Sequence, residues 1–168
     1  TLPIVDWEAP GKISVELSLF HSSAGAYSGV FGEGWSHSYE ESIAYTAGSS
    51  AILRQGDGLV LPFTETSGTF TDPSGITDTL VKNGDGTWTL TTKRQWQKKY
   101  NAAGFLIWVK DRAGNQITVN RDTSNKVTTV VDPTGRTLTF AYDAGGRVST
   151  VTDPASRVWT FTRNAAQD

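Results

Sequence analysis

The chain has 168 residues and a formal net charge of -2, with 17 glycines, 18 aromatic residues (6 Trp, 5 Tyr, 7 Phe) and neither Cys nor Met. Without cysteine there is no disulfide, thiol chemistry or thiolate metal site. The near-neutral charge gives no strong field toward nucleic acid or an anionic membrane, and no apolar run reaches the ~20 residues of a membrane helix. Threonine, glycine and aromatic residues crowd out helix formers, which points to an all-β fold.

Residues 1–11 carry Pro3 and Pro10 and read as irregular, with Trp7 expected to pack back on the first sheet. Residues 12–19 alternate, with Ile13, Val15, Leu17 and Leu19 on one face, and predict a strand. Residues 21–34 have no period, so a long loop is expected, either mobile or packed through Tyr27, Val30 and Phe31. A strand over 35–45 would put Tyr39, Ile43 and Tyr45 in phase, although Glu41 on that face spoils the pattern. Runs at 50–54 and 59–63 flank Gln55-Gly56-Asp57-Gly58, a hairpin signal, and Pro62 suggests a sheet edge or strand end. Asp72-Pro73-Ser74-Gly75 is a turn sequence, and Asn83-Gly84-Asp85-Gly86 joins predicted strands at 76–82 and 87–94.

From Gln95 a period of 21 sets in. Asp111, Asp132 and Asp153 keep that step, as do Trp96, Ile117, Leu138 and Trp159, and Val119, Phe140 and Phe161. Asp132-Pro133-Thr134-Gly135 has type I turn chemistry, and Leu138, Phe140 and Tyr142 then alternate with Thr137, Thr139 and Ala141. A short fixed period marks stacked supersecondary units, here β-hairpins. In the second strand of each unit the valines lie three apart, as in Val127/Val130 and Val148/Val151. They share a face only if a β-bulge separates them, and the bulge would then recur in every copy and bend the sheet. The expected architecture is therefore all-β: antiparallel hairpin repeats forming a curved, twisted sheet. An N-terminal β region covers 1–70 and the repeats cover 71–168, most regular from 95. The period ends the chain in a turn at 164–168, so an unpaired edge is expected there, pairing with further repeats or with a second copy.

Tyr142-Asp143-x-x-Gly146-Arg147-Val148, preceded by Asp132-Pro133-x-Gly135-Arg136, resembles the tyrosine-aspartate (YD) repeat of Rhs proteins. Gly32-x-Gly34-Trp35-Ser36-His37-Ser38-Tyr39 is similar to the Gly-Trp-x-His-x-Tyr segment that precedes those repeats. Arg121 and Arg163 depart from the pattern by replacing Tyr, and Ala155-Ser156 replaces the x-Gly of the last turn. The resemblance implies a structural role. In secreted polymorphic Rhs toxins the repeats spiral into a shell around a toxin domain, and related repeats occur in insecticidal toxin-complex cocoons and in teneurins. By the same resemblance the chain is expected to be secreted or at the cell surface, with an encapsulated toxin domain or a surface glycan as partner.

His37, one of two histidines with His21, reads as a buried hydrogen-bonding group rather than a ligand. Glu33, Glu40 and Glu41 beside Trp35 suggest a glycoside hydrolase only if two carboxylates face each other across a cleft. One Asp per turn fits capping of turn amides better than calcium binding. Lys93, Arg94, Lys98 and Lys99 read as a solvated strand face. Trp96 and Trp159 fall on repeat core positions, whereas Trp88 and Trp108 are the candidates for a ligand-binding aromatic platform. No catalytic residue, cofactor or metal site is expected.

Overall fold

The computed structural model describes residues 1–7, 13–23, 27–72 and 77–162, with the side chains of 5–7 excepted. The expectations for Trp7, for most of the turn at 72–75 and for the turn at 164–168 fall outside the described residues.

Among the described residues every element is a strand, and every pairing is antiparallel. Strands β1 (Leu2–Trp7), β2 (Val15–His21) and β5 (Trp35–His37) form a sheet in the order β1-β2-β5. Two short strands, β3 (Ser28–Gly29) and β4 (Gly32–Glu33), pair with each other. The described residues 27–34 are therefore a small arm, held down because Val30 and Phe31 pack on the core. Strands β6 (Ser42–Thr46), β7 (Ser50–Arg54), β8 (Val60–Thr66) and β9 (Thr69–Thr71) make a four-stranded meander. Its alternation is clean: Ala51, Leu53, Leu61 and Phe63 point inward while Ile52 and Pro62 face out. Pro62 pairs with Ile52 on one side, but β9 begins pairing only at Thr64, so the proline sits where β8 has a single neighbour.

One strand is expected over 35–45, and there are two. A turn closed by the Glu40 N–H donating to the His37 carbonyl (2.8 Å) separates β5 from β6. Glu41 broke the alternation because it leaves the strand and enters the core, where it is paired (below).

Strands β10 (Thr79–Lys82), β11 (Trp88–Thr91), β12 (Gln97–Tyr100), β13 (Leu106–Lys110), β14 (Gln116–Arg121), β15 (Val127–Val131), β16 (Thr137–Tyr142), β17 (Val148–Thr152) and β18 (Val158–Thr160) form one sheet in chain order. Each turn within it has the same two hydrogen bonds. In the Asp132 turn, the Asp132 N–H donates to the Arg136 carbonyl (2.9 Å) and the Gly135 N–H to the Asp132 carbonyl (3.0 Å). The turns starting at Asn83, Thr92, Asn101, Asp111, Asp122, Asp143 and Asp153 repeat this pair. The fourth residue of every one has positive φ: glycine in most, but Gln95, Asn125 and Ser156 in three. This is a type I turn followed by a left-handed residue, the usual three-residue hairpin.

The expected bulge recurs. Register shifts by one residue opposite Lys99/Tyr100, Asn120/Arg121 and Ala141/Tyr142, skipping Ile107, Thr128 and Ser149 in the second strands. Leu106 and Val109, Val127 and Val130, and Val148 and Val151 are consequently all buried on one face.

The period needs one correction. Turns start at 111, 132 and 153, a step of 21, but the turn before them starts at 92, only 19 earlier (111 - 92). Strand β12 has four residues where β14 and β16 have six. Trp96 therefore occupies the fifth turn position, equivalent to Asn115 and Arg136, and is 37 % exposed rather than buried. Trp159, in a full-length unit, is half-buried and packs on the core.

Among the described residues nearly all the buried apolar side chains form a single cluster from Ile13 to Val151, so the N-terminal sheets and the repeat sheet share one core.

Candidate functional site

The N-terminal sheets and the buried face of the repeats meet along a seam. Tyr100, Arg121 and Tyr142 end the first strand of successive units, 21 residues apart, and all three lie along this seam.

Tyr100 is fully buried, and its hydroxyl donates to Glu41 Oε2 at 2.9 Å. Glu41 Oε1 accepts from Lys98 Nζ at 2.6 Å. Lys98 sits where Val119 and Phe140 stand in later units, so it faces the core instead of belonging to a solvated basic run. A buried carboxylate is tolerated only with a partner, and here it has two. Burial, with the adjacent Glu41 charge, holds the Tyr100 phenol well above its ordinary pKa.

Arg121 bridges the seam. Its Nε donates to the Leu106 carbonyl (2.7 Å), Nη1 to Asn125 (2.7 Å) and Nη2 to Tyr39 (2.8 Å). Desolvation lowers its pKa to about 10, so it remains a cation at neutral pH. Tyr142 donates its hydroxyl to the Val127 carbonyl at 2.7 Å. Burial, then the charges of Asp122 and Glu40, push the Tyr142 phenol up.

Backbone bonds complete the join. The Ile43 N–H donates to Gly104 (2.8 Å), the Leu106 N–H to Glu41 (3.2 Å) and the Val148 N–H to Val30 (2.9 Å). Leu106 and Val148 hold the same position two units apart, so the N-terminal region latches twice onto one feature of the repeat. Gly104 lies so close that a Cβ on it would meet the Ile43 carbonyl oxygen.

His37 is buried between Phe31 and Phe140, with ring centroids at 5.5 and 5.6 Å. Its Nδ1 accepts the Tyr39 N–H at 3.4 Å, and Nε2 lies 3.8 Å from Glu40 Oε2. Desolvation first, and the Arg121 charge second, lower its pKa to about 3. The ring is a neutral brace across the β5–β6 turn. Glu40 is half-buried beside it, with its carboxyl raised by desolvation. Glu33 is exposed on β4, and His21 is exposed with its ring 4.9 Å from Trp35. Among the described residues no three His, Asp or Glu side chains group as metal ligands.

The turn aspartates cap backbone. Asp132 Oδ1 accepts from the Thr134 and Arg136 N–H groups (2.8 and 2.9 Å), and Oδ2 pairs with Arg136 Nε at 2.7 Å. Asp153 does the same with Ala155 and Arg157 (2.9, 2.8 and 2.7 Å). Burial opposes the Asp153 charge, but the Arg157 amide and guanidinium prevail and its pKa falls.

Of the aromatic candidates, Trp88 belongs to the core. It is 2 % exposed, and its ring packs against Tyr45 (5.0 Å) and Phe70 (5.2 Å), which corrects the expectation of an open platform there. Trp108 lies half-buried on the outer face, opposite Lys99 and with Lys110 Nζ 4.7 Å from its ring centroid. The residues that sequence did not bring together are Glu41, Lys98 and Tyr100. Their only trace was Glu41 out of phase and a lysine on a core position.

Residues 1–63 match a family described as a domain of unknown function (DUF6531), and residues 121–158 match the RHS Repeat. No curated protein matches the chain. Among the described residues no helix is long and apolar enough to cross a membrane. The RHS Repeat match falls on β15–β17, where turn, bulge and buried valines recur in register, and residues 121–158 are thus similar to the Rhs/YD-type repeat.

Proposed function

We propose that this structural repeat module is a segment of the shell wall of an Rhs/YD-repeat toxin or surface protein, secreted or displayed at the cell surface, with no catalysis of its own. The observation that carries this reading is the repeat sheet itself. It grows strictly in chain order through one turn design, with one face buried and, among the described residues, β18 pairing only with β17. A wall of this kind extends by backbone pairing while its inner side chains hold neighbouring layers. The N-terminal sheets then serve as the cap on which the first units dock.

The test is an electron-microscopy reconstruction of the protein from its source, with everything that flanks this chain. The expected result is β18 paired with a next hairpin, and a separate domain enclosed by the wall and shielded from protease. A solvent-facing β18 in that protein, or an enclosed-domain segment cleaved as fast as in unfolded protein, overturns the proposal.

A second reading is a carbohydrate- or surface-binding module centred on Trp108. It is favoured by one internal comparison: the equivalent outer-face positions are Thr129 and Thr150, so this ring is peculiar to its unit. Glycan-array binding lost in Trp108→Thr supports it, and an array without hits removes it.

A further inference from the structure

Between β2, the β7–β8 turn and the first repeat strands lies an open groove of about 820 Å³. Its floor is apolar: Ile13 from the N-terminal side, and Val109 and Ile117 from the repeat sheet. Phe20 and the exposed Trp96 stand at its margin. Trp96 is there because β12 is two residues short, which turns a ring outward into the groove instead of down into the core.

The polar lining is lopsided in charge. Glu16, Asp57 and Asp111 contribute three carboxylates, and the one lysine, Lys98, is already committed to Glu41. Local bonds fix these carboxylates in place. Glu16 Oε1 accepts from Ser18 Oγ (2.7 Å), Asp57 Oδ1 from the Leu59 N–H (2.9 Å) and Asp111 Oδ1 from the Asn115 N–H (2.9 Å). Asn115 keeps the Asp111 carboxyl below its ordinary pKa against some burial, so it stays ionised.

We infer that this groove is a docking site for an extended polypeptide segment that alternates basic and apolar side chains. An apolar floor with an aromatic edge asks for apolar side chains, and an acidic margin asks for cations within a few ångströms of them. A lone small cation satisfies only the margin. The volume lies in the upper range for ligand sites and suits several linked residues. Alternation follows from an extended chain, whose side chains point in turn to floor and margin. The inference does not rest on the shell reading; in a shell, such a segment would come from the enclosed domain.

The experiment is calorimetric titration of this chain with an N-acetylated, C-amidated hexapeptide alternating lysine and leucine. Parallel titrations use the glutamate–leucine analogue and spermine. The lysine–leucine peptide is expected to bind, with affinity falling as salt rises, and both comparators to bind at least roughly tenfold more weakly. Glu16→Gln combined with Asp57→Asn keeps the local hydrogen bonds but removes two charges, and is expected to weaken binding roughly tenfold. Trp96→Ala, at an exposed turn position, is expected to do the same, while Asp85→Asn outside the groove leaves affinity unchanged. Should the double variant misfold by near-ultraviolet circular dichroism, Trp96→Ala decides alone. Equal binding of the glutamate analogue or spermine, unchanged affinity in the groove variants, or no binding of the lysine–leucine peptide at millimolar concentration overturns the inference.

Discussion

Arg121 Nε and Tyr142 Oη, 21 residues apart, donate to the carbonyls of Leu106 and Val127, also 21 apart, each at 2.7 Å. The arginine that breaks the tyrosine pattern thus keeps the tyrosine's bond to its own hairpin. It adds two more donors, one of which crosses to Tyr39 in the N-terminal region. Arg121→Leu leaves these carbonyls without that donor and is expected to cost about 3–4 kcal/mol in urea denaturation. Arg121→Tyr restores the Leu106 bond only and is expected to recover about half of that loss. If the two variants prove equally stable, the contact to Tyr39 and Asn125 carries no weight.

Neighbouring residues on β16 test the facing of the sheet. Phe140 is buried and Thr139 exposed. Phe140→Ala is expected to lose about 3–5 kcal/mol, against less than about 0.5 kcal/mol for Thr139→Ala. Small, equal losses in thermal or chemical unfolding would contradict the inward face.

Two glycines with nearly the same φ separate backbone strain from close approach. Gly114 (φ +86°) has nothing within 4 Å of where a Cβ would go, whereas at Gly104 (φ +88°) it meets the Ile43 carbonyl oxygen. Gly114→Ala is expected to cost about 1–2 kcal/mol, the strain of a left-handed residue. Gln95, Asn125 and Ser156 already bear that strain at the same turn position. Gly104→Ala is expected to cost about 4 kcal/mol or more, because the seam itself must open. Equal melting temperatures for the two variants would show that the seam yields freely.

The His37 ring has a folded pKa of about 3 against an ordinary 6.5. Between those values the unfolded chain binds a proton that the folded chain does not, so stability falls as pH falls below 6.5. The slope from this group approaches about 1.4 kcal/mol per pH unit. Glu40, with its raised pKa, acts in the opposite sense, adding stability as pH falls through its folded pKa. Comparing the protein with His37→Gln between pH 7 and pH 4 isolates the ring: the difference in unfolding free energy is expected to shrink steadily as pH falls. A pH-independent difference would mean that the ring is accessible to protons.

Much of the repeat was legible because its turns carry their own chemistry. Aspartate at the first position and glycine at the fourth mark Asp111, Asp132 and Gly135 without reference to anything distant, and valines three apart announce the bulge. The Thr92 turn has neither mark. Thr92 replaces Asp, and Gln95 takes the left-handed position, so the shortened β12 was invisible and Trp96 was misplaced. Glu41 could be seen to break a pattern, but its partner Lys98 lies 57 residues away, and no local rule connects them. Trp88 was ambiguous for a similar reason. Strand periodicity says that Trp88 and Leu90 share a side, but not that Tyr45 and Phe70 from another sheet cover it.

Strands β13, β15 and β17 each spend one residue outside the ladder, and at the same place every time. The resulting deflections have one sense and add up along the array rather than cancelling. The radius of any enclosure built from such units is therefore written into the chain as a local dimension. Excising Ser149, Thr128 or Ile107 would lay the ribbon flatter, and its circumference would widen with each deletion.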